Sequence, residues 1–191
     1  MKPEKCNALS LSHIVLSQLI QKGDFCIDAT AGNGHDTAFL CQLCGEEGRV
    51  LAFDIQQQAV ERTQELLRQQ QLSAQVVCAS HHTMDSYAEK ESAAAVVFNL
   101  GWLPGGNHDC FTQPATTLPA LDTALTMLRP CGILSLCIYY GRNNGTEEKD
   151  AVLQWLSGVD SRRFTVTVTQ FANRSGCPAI YAAVLRHSDE A

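Results

Sequence analysis

The sequence lacks any apolar run that approaches the roughly 20 residues of a membrane-spanning helix, so we expect no membrane partner. Its first residues also lack the uninterrupted apolar region of a secretory signal, which makes a cytoplasmic location the expectation. Cationic residues are few as well, since 14 Lys and Arg stand against 20 Asp and Glu and leave a net charge of −6. Coating nucleic acid non-specifically requires clustered cations. The composition therefore argues against a protein that coats nucleic acid non-specifically, although it allows a small basic patch for one structured RNA.

Paired cysteine spacing is also lacking, although the chain has nine cysteines in 191 residues. Only Cys41 and Cys44 are separated as zinc ligands often are, and no second pair or His-x-x-x-His completes a ligand set. We therefore predict reduced thiols and no bound metal, with helix packing for this pair and redox or metal chemistry as the alternative. Repeats, low-complexity tracts and linkers are absent too, which predicts one domain over residues 1–191. The oligomeric state, a homodimer included, is left open.

Short apolar runs alternate with longer amphipathic runs, a pattern that predicts a parallel sheet with crossover helices. The predicted strands cover residues 25–29, 49–54, 75–79, 93–100 and 133–139, and the predicted helices cover 7–21, 36–43, 57–70, 116–128 and 147–157. Residues 164–171 and 179–185 read as a terminal hairpin, so the last strand should run antiparallel to its neighbour. The expected fold is therefore a doubly wound, mostly parallel α/β sheet, Rossmann-like, that ends in an antiparallel hairpin.

A glycine-rich turn follows the first predicted strand and opens the next helix, reading Asp-Ala-Thr-Ala-Gly-Asn-Gly-His-Asp over residues 28–36. Glycines let a ligand approach the backbone at the carboxyl ends of strands, and Asp28 can fix the amino-acid end of a cofactor. Asp54, twenty residues past Gly34, ends the second strand, where a carboxylate can hold both hydroxyls of a ribose. These features favour S-adenosylmethionine. A dinucleotide site is the alternative, but its fingerprint requires a small residue where this chain has Thr37; a purely structural turn is another.

Two further strand ends carry polar residues. Ser80, His81 and His82 follow the third strand, where a contact to an adenine edge is expected, with a plain polar loop as the alternative. The fourth strand ends in Asn99, followed by Leu-Gly-Trp-Leu-Pro-Gly-Gly over residues 100–106. Asn99 can accept a hydrogen bond from a target amine and aim its lone pair at the transferred methyl group. Trp102 can stack on a base or simply pack under its loop.

With these stretches in place, the chain resembles the bacterial family once labelled rRNA methylases and now associated with methylating 5-aminomethyl-(2-thio)uridine at the tRNA wobble position. The matching stretches are His13, residues 28–37, residues 53–56, residues 99–106, Tyr140-Gly141 with Glu147, and Asn173 ahead of Pro178. The resemblance implies S-adenosylmethionine as methyl donor and the anticodon arm of tRNA as substrate. Two positions depart from the family pattern, since Arg142 stands where the family tends to have His, and Cys177 where it tends to have Pro.

The residues expected around the cofactor are Asp28, Ala29, Gly32, Asn33, Gly34, His35, Asp36, Thr37, Asp54, Gln56, Ser80, His81 and Asn99. Asn99 and Trp102 are the expected catalytic residues. The residues expected at the substrate are Trp102, Tyr140, Arg142, Asn173 and Arg174, the two arginines because an acidic protein that binds tRNA must concentrate its few cations.

The expected acceptor atom is an amine nitrogen. Methylation of uridine C5 usually requires a cysteine thiolate that first adds to the ring, and the nearby candidate is Cys110. Other functions stay open: a methyltransferase for rRNA or for a small amine, which the negative charge favours, or a binding module without catalysis. The presence of Asn99 speaks against the binding module, since such a module needs no acceptor-side group.

Overall fold

The computed structural model describes residues 6–101, 111–141, 145–176 and 178–188. Its strands are β1 (Phe25–Asp28), β2 (Arg49–Asp54), β3 (Gln75–Cys78), β4 (Ala93–Leu100), β5 (Leu128–Ile138), β6 (Phe164–Thr169) and β7 (Ile180–Arg186). Its α-helices are α1 (Ala8–Leu19), α2 (His35–Cys44), α3 (Gln57–Gln69), α4 (Pro114–Met127) and α5 (Thr146–Ser157), and a 3-10 helix covers His81–Ser86. None of the helices in these ranges is long and apolar enough to cross a membrane.

The described strands form one sheet in the order β3-β2-β1-β4-β5-β7-β6. Strands β1 to β5 pair in parallel, and β7 is antiparallel to both of its neighbours. Helices α1, α2 and α3 cover one face of the sheet, while α4 and α5 cover the other. The predicted doubly wound α/β class with an antiparallel end is therefore confirmed.

Strand β4 lies at the centre of the sheet and supplies side chains to both hydrophobic layers. Val96, Phe98 and Leu100 pack on the α4 and α5 side, whereas Ala95 and Val97 pack on the side of α1 and α2. All five are buried. The run of apolar residues without alternation is explained by this burial on both faces.

The predicted hairpin is formed by β6 and β7, and within it β7 lies between β5 and β6, so that β6 is the edge strand. Residues in β7 are buried at six of seven positions, while β6 exposes Thr165, Thr167 and Thr169. An edge strand tolerates a polar outer face, but an inner strand must be buried. The composition of the two strands thus explains which of them takes the inner place.

Strand β5 begins at Leu128, five residues before the predicted start at 133. Leu128 pairs with Ala93, and the register shifts before Ile133 pairs with Ala95. The intervening Cys131 adopts a left-handed φ of 60°. Residues 129–132, which lie between the predicted helix and the predicted strand, therefore form an irregularity within β5.

The strand register decides which polar residues reach the carboxyl edge of the sheet. Asp28 pairs with Ala52 on one side and with Val97 on the other. Asp54 and Asn99 therefore extend two residues beyond the end of β1. Because β1 lies between β2 and β4 and ends earlier, a crevice forms between the ends of these two strands, which is where ligands bind in open α/β sheets.

Candidate active site

The glycine-rich turn between β1 and α2 is tied to both neighbouring strands. The N–H of Ala31 donates to the Phe53 carbonyl at 2.8 Å, and the N–H of Ala29 donates to the Val97 carbonyl at 2.9 Å. Gly34 adopts φ of 83°, and a Cβ there would lie 2.8 Å from the Cα of Thr63. The turn therefore needs glycine at this position both for its backbone conformation and for its contact with α3.

Asp54 presents its carboxylate at the end of β2 beside this turn. One oxygen accepts from the N–H of Gly32 at 2.9 Å, and the other accepts from the N–H of Gln56 at 2.8 Å. Each carboxylate oxygen has a second lone pair, so both can also accept from a ligand hydroxyl. The backbone thus orients the carboxylate and leaves it able to bind a diol.

Asp28 lies one layer deeper and is fully buried. Its carboxylate accepts from the Thr37 hydroxyl at 2.6 Å and from the N–H of Thr30 at 3.1 Å. Burial raises the pKa of Asp28 to about 7, the charge of Asp36 adds to the increase, and the Thr37 hydrogen bond opposes it. Asp28 consequently supports the turn from behind and does not form part of the cleft wall.

Asn99 is held at the end of β4 by the turn after β1 and by α2. Its N–H donates to the Thr30 hydroxyl at 2.7 Å, and its side-chain Nδ2 donates to Asp36 at 2.5 Å. Asp36, which lies in the first turn of α2, also accepts from Nε2 of His13 at 2.6 Å. The His13 ring stacks on Phe39 with its centroid 3.9 Å away. Oδ1 of Asn99 is buried and has no hydrogen-bond partner among the described residues.

The two histidines after β3 have different environments. His81 is 7 % exposed, lines the cleft, and meets the Phe98 ring edge-on at 5.5 Å. Burial lowers the pKa of His81 to about 4, so the ring is neutral at physiological pH. Its Nε2 has no partner in the part of the chain that the structure describes. His82 is exposed, and its Nδ1 lies 2.8 Å from the Ser80 hydroxyl.

These elements enclose a cleft of about 380 Å³, a size typical of small-molecule sites. Ten of the predicted cofactor residues line it: Ala29, Gly32, Asn33, His35, Asp36, Asp54, Gln56, Ser80, His81 and Asn99. The other three, Asp28, Gly34 and Thr37, lie behind the wall. Apolar side chains that line it include Leu9, Phe53, Leu100 and Phe111.

The predicted substrate residues are less closely grouped. Trp102 and Arg142 lie outside the described residues, as does Cys110. Tyr140 packs against the hydrophobic core, with the Lys149 ammonium 5.1 Å from its ring centroid. Asn173 and Arg174 lie in the connection between β6 and β7, which is at the carboxyl edge of the sheet but does not line the cleft.

Three residues near the acceptor side, Tyr139, Thr112 and Glu148, were not predicted from the sequence. Tyr139, one position before the predicted Tyr140, lines the cleft, and burial raises its pKa to about 12, so its hydroxyl remains a donor. Thr112 accepts from the N–H of Gly101 at 2.8 Å and donates to the buried carboxylate of Glu148 at 2.6 Å. Successive side chains of a strand point to opposite faces, so Tyr140 lies on the same face as the buried Ile138 and Tyr139 lies on the other. This alternation is the sequence signal that could have identified Tyr139 as the tyrosine at the cleft.

Residues 50–185 match the family described as "Putative rRNA methylase". A curated Arabidopsis thaliana protein, "tRNA (mnm(5)s(2)U34)-methyltransferase, chloroplastic", is 38% identical over an alignment of 186 residues, and the match covers 91% of this chain and 67% of that protein.

Two solved structures resemble this one over nearly their full length. A "putative rRNA-methylase" from Clostridium thermocellum has a TM-score of 0.93 and 41% identity, over 96% of this chain and 100% of that one. A "putative methyltransferase" from Streptococcus mutans, solved in complex with SAH, has a TM-score of 0.86 and 38% identity, over 96% and 99%. With a family match that spans most of its length and relatives of this identity, the chain belongs to the family described as "Putative rRNA methylase".

Proposed function

We propose that this protein is an S-adenosylmethionine-dependent methyltransferase that N-methylates 5-aminomethyl-(2-thio)uridine at the wobble position of tRNA. The observation that carries the proposal is a pair of acceptors among the residues that line one cleft. Asp54 can bind a diol at the end of β2, and the unpartnered Oδ1 of Asn99 can bind an N–H group at the end of β4. The names of the Arabidopsis and Streptococcus mutans relatives support the substrate and the cofactor respectively.

The residues of the cleft fit S-adenosylmethionine. Asp54 would accept from the two ribose hydroxyls, while the turn at Gly32 would admit the amino-acid end close to the backbone. The neutral His81 offers a nitrogen for the adenine end. S-adenosylmethionine supplies a methyl group on a sulfonium sulfur, so an amine lone pair forms the N–C bond while the C–S electron pair goes to sulfur and the nitrogen then loses a proton to solvent.

On the acceptor side the protein must keep the amine neutral and aim it. The apolar side chains of Leu9, Leu100 and Phe111 on the cleft wall disfavour the ammonium form by desolvation. Asn99 Oδ1 would accept from an N–H of the amine, which leaves the lone pair free to attack. Because the donor methyl group is already activated, positioning of this kind supplies most of the rate.

For the RNA we propose contacts at the carboxyl edge of the sheet, with the anticodon arm as partner. Arg174 is exposed there, and its guanidinium lies over the Phe171 ring at 4.2 Å. The stacked pair offers both a phosphate ligand and a flat surface for a base. A cytoplasmic location is also part of this proposal, and it differs from that of the Arabidopsis relative, which is named chloroplastic.

Mass spectrometry of tRNA nucleosides tests the function directly. Purified protein and S-adenosylmethionine should convert tRNA that carries the aminomethyl group into its methylaminomethyl form. The same tRNA without the aminomethyl group, and ribosomal RNA, are the controls and should stay unchanged. Methylation of ribosomal RNA in their place would replace the proposed substrate, and cells that lack the protein but keep the methylaminomethyl nucleoside would contradict the proposal.

A further inference from the structure

The side-chain amide of Asn99 can present either of two opposite groups to a substrate, and its surroundings decide which. Oδ1 facing the cleft accepts from an amine N–H and leaves the amine lone pair free. Nδ2 facing the cleft would donate to that lone pair and block its attack on the methyl group. The orientation of this one amide therefore determines whether an amine can react. This inference rests on the proposed function.

Asp36 forces the productive orientation. Its carboxylate has no proton to donate, so the atom of Asn99 that it contacts at 2.5 Å must be Nδ2. A flipped amide would place two acceptor oxygens against each other in a site where Asp36 is only 8 % exposed. Oδ1 is consequently the atom that remains, and it is buried with no partner in the described ranges. A buried acceptor without a partner is destabilising, which is the expected signature of a position kept for a ligand.

His13 in turn fixes Asp36. Its Nε2 lies 2.6 Å from the second carboxylate oxygen, so both oxygens of Asp36 accept from defined donors. Asp36 and Phe39 are three residues apart on one face of α2, and both contact the His13 ring. The stacking on Phe39, with planes 14° apart, holds the ring in the plane that points Nε2 at the carboxylate.

We propose that His13 and Asp36 are positioning residues that lock the Asn99 amide with Oδ1 towards the methyl acceptor, so that the site selects a nitrogen that still bears a hydrogen. Neither residue needs to touch the substrate. The lock is a relay of three side chains from α1, α2 and β4, and each link has only one possible direction of donation.

Exchanging the side chains of Asp36 and Asn99 tests the lock. In Asp36→Asn the new amide can accept from His13 and donate to Asn99, which would turn Nδ2 of Asn99 into the cleft. In Asn99→Asp two carboxylates face each other. In the double variant the amide at position 36 donates to the carboxylate at position 99, whose other oxygen again faces the cleft as an acceptor.

Single-turnover methylation of the aminomethyl tRNA, at saturating S-adenosylmethionine, is the readout for all four proteins. Each single variant should be slower than wild type by about 100-fold, the scale on which misplacing a reacting group acts. The double variant should recover at least about tenfold over either single variant, since residues in direct contact are coupled. The melting temperature should stay near the wild-type value in Asp36→Asn and in the double variant, whereas the facing carboxylates of Asn99→Asp should lower it. SAH, measured by calorimetry, should still bind to all four proteins.

A second pair of variants tests His13 and does not depend on the stability of the Asp36 variants. His13→Phe keeps a ring to stack on Phe39 but removes the N–H donor, whereas His13→Gln keeps a donor and loses the ring. The rate should fall in His13→Phe by about tenfold, the effect of one lost orienting hydrogen bond, and His13→Gln should lie closer to wild type.

The outcomes separate the two proposals. A wild-type protein that does not methylate this tRNA overturns the proposed function together with the lock. An active wild type whose double variant is no faster than the single variants overturns the lock alone. Loss of SAH binding in Asp36→Asn would assign Asp36 to the cofactor and would also overturn the lock. A His13→Phe variant that methylates at the wild-type rate would overturn the lock as well.

Discussion

Removing the carboxylate of Asp54 should weaken the binding of S-adenosylmethionine far more than it weakens the fold. In the structure this carboxylate holds the N–H groups of Gly32 and Gln56 and keeps one lone pair on each oxygen for a ligand. A hydrogen bond to a charged group contributes about 1.5–3 kcal/mol, so Asp54→Ala should raise the Kd by about 10- to 150-fold. Asp54 is only partly buried. In Asp54→Ala water can therefore bind to the two N–H groups in place of the carboxylate, so the loss of folding free energy should be small.

Isothermal titration calorimetry with S-adenosylmethionine checks this expectation, with NAD as a ligand that should not bind. Asp85→Ala is the matched control, because Asp85 is exposed, lies outside the cleft, and its replacement changes the net charge equally. A melting temperature measured for each variant separates binding from folding. If Asp54→Ala keeps the wild-type Kd while remaining folded, the assignment of this cleft to the cofactor is wrong.

Three further predictions concern buried charge, the RNA and the acceptor atom. The pKa of Asp28 is raised from 3.8 to about 7, so the stability that the protonated side chain contributes is full below pH 3.8 and is lost as the pH rises to 7. In urea titrations, the unfolding free energy of wild type relative to Asp28→Asn should therefore fall by up to about 4 kcal/mol over that window. A difference between the two proteins that does not change with pH would refute this. Arg174→Ala should weaken tRNA binding and reduce its salt dependence by about one unit of slope, whereas Arg68→Ala, on the exposed face of α3, should change neither. Asn99→Ala should slow methylation by about 100-fold or more while S-adenosylmethionine still binds. Cys110→Ser should stay near wild type, and a covalent protein–RNA adduct would instead indicate carbon methylation.

The sequence by itself determined the order and type of the elements, and most of the cleft. The bounds of β2 and β4 agree with the predicted ranges, because a run buried on both faces has no alternative in a parallel sheet. Asp54 and Asn99 could be placed at one edge, since the carboxyl ends of parallel strands meet there. Ten of the thirteen predicted cofactor residues line the cleft for the same reason.

Only the tertiary structure decided what depends on register and on contacts between distant residues. The two-residue offset of β1 from its neighbours puts Asp28 behind the cleft wall, although its motif suggests a direct contact with the ligand. The pairing of the hairpin with β5 is a contact of this kind, because a local pattern predicts a hairpin without predicting the strand beside it. Asn99 meets an Asp36 that is 63 residues away, and Asp36 meets His13 across 23 residues. Such pairings follow from the packing of α1 and α2 against the end of β4, so no spacing in the sequence could reveal them.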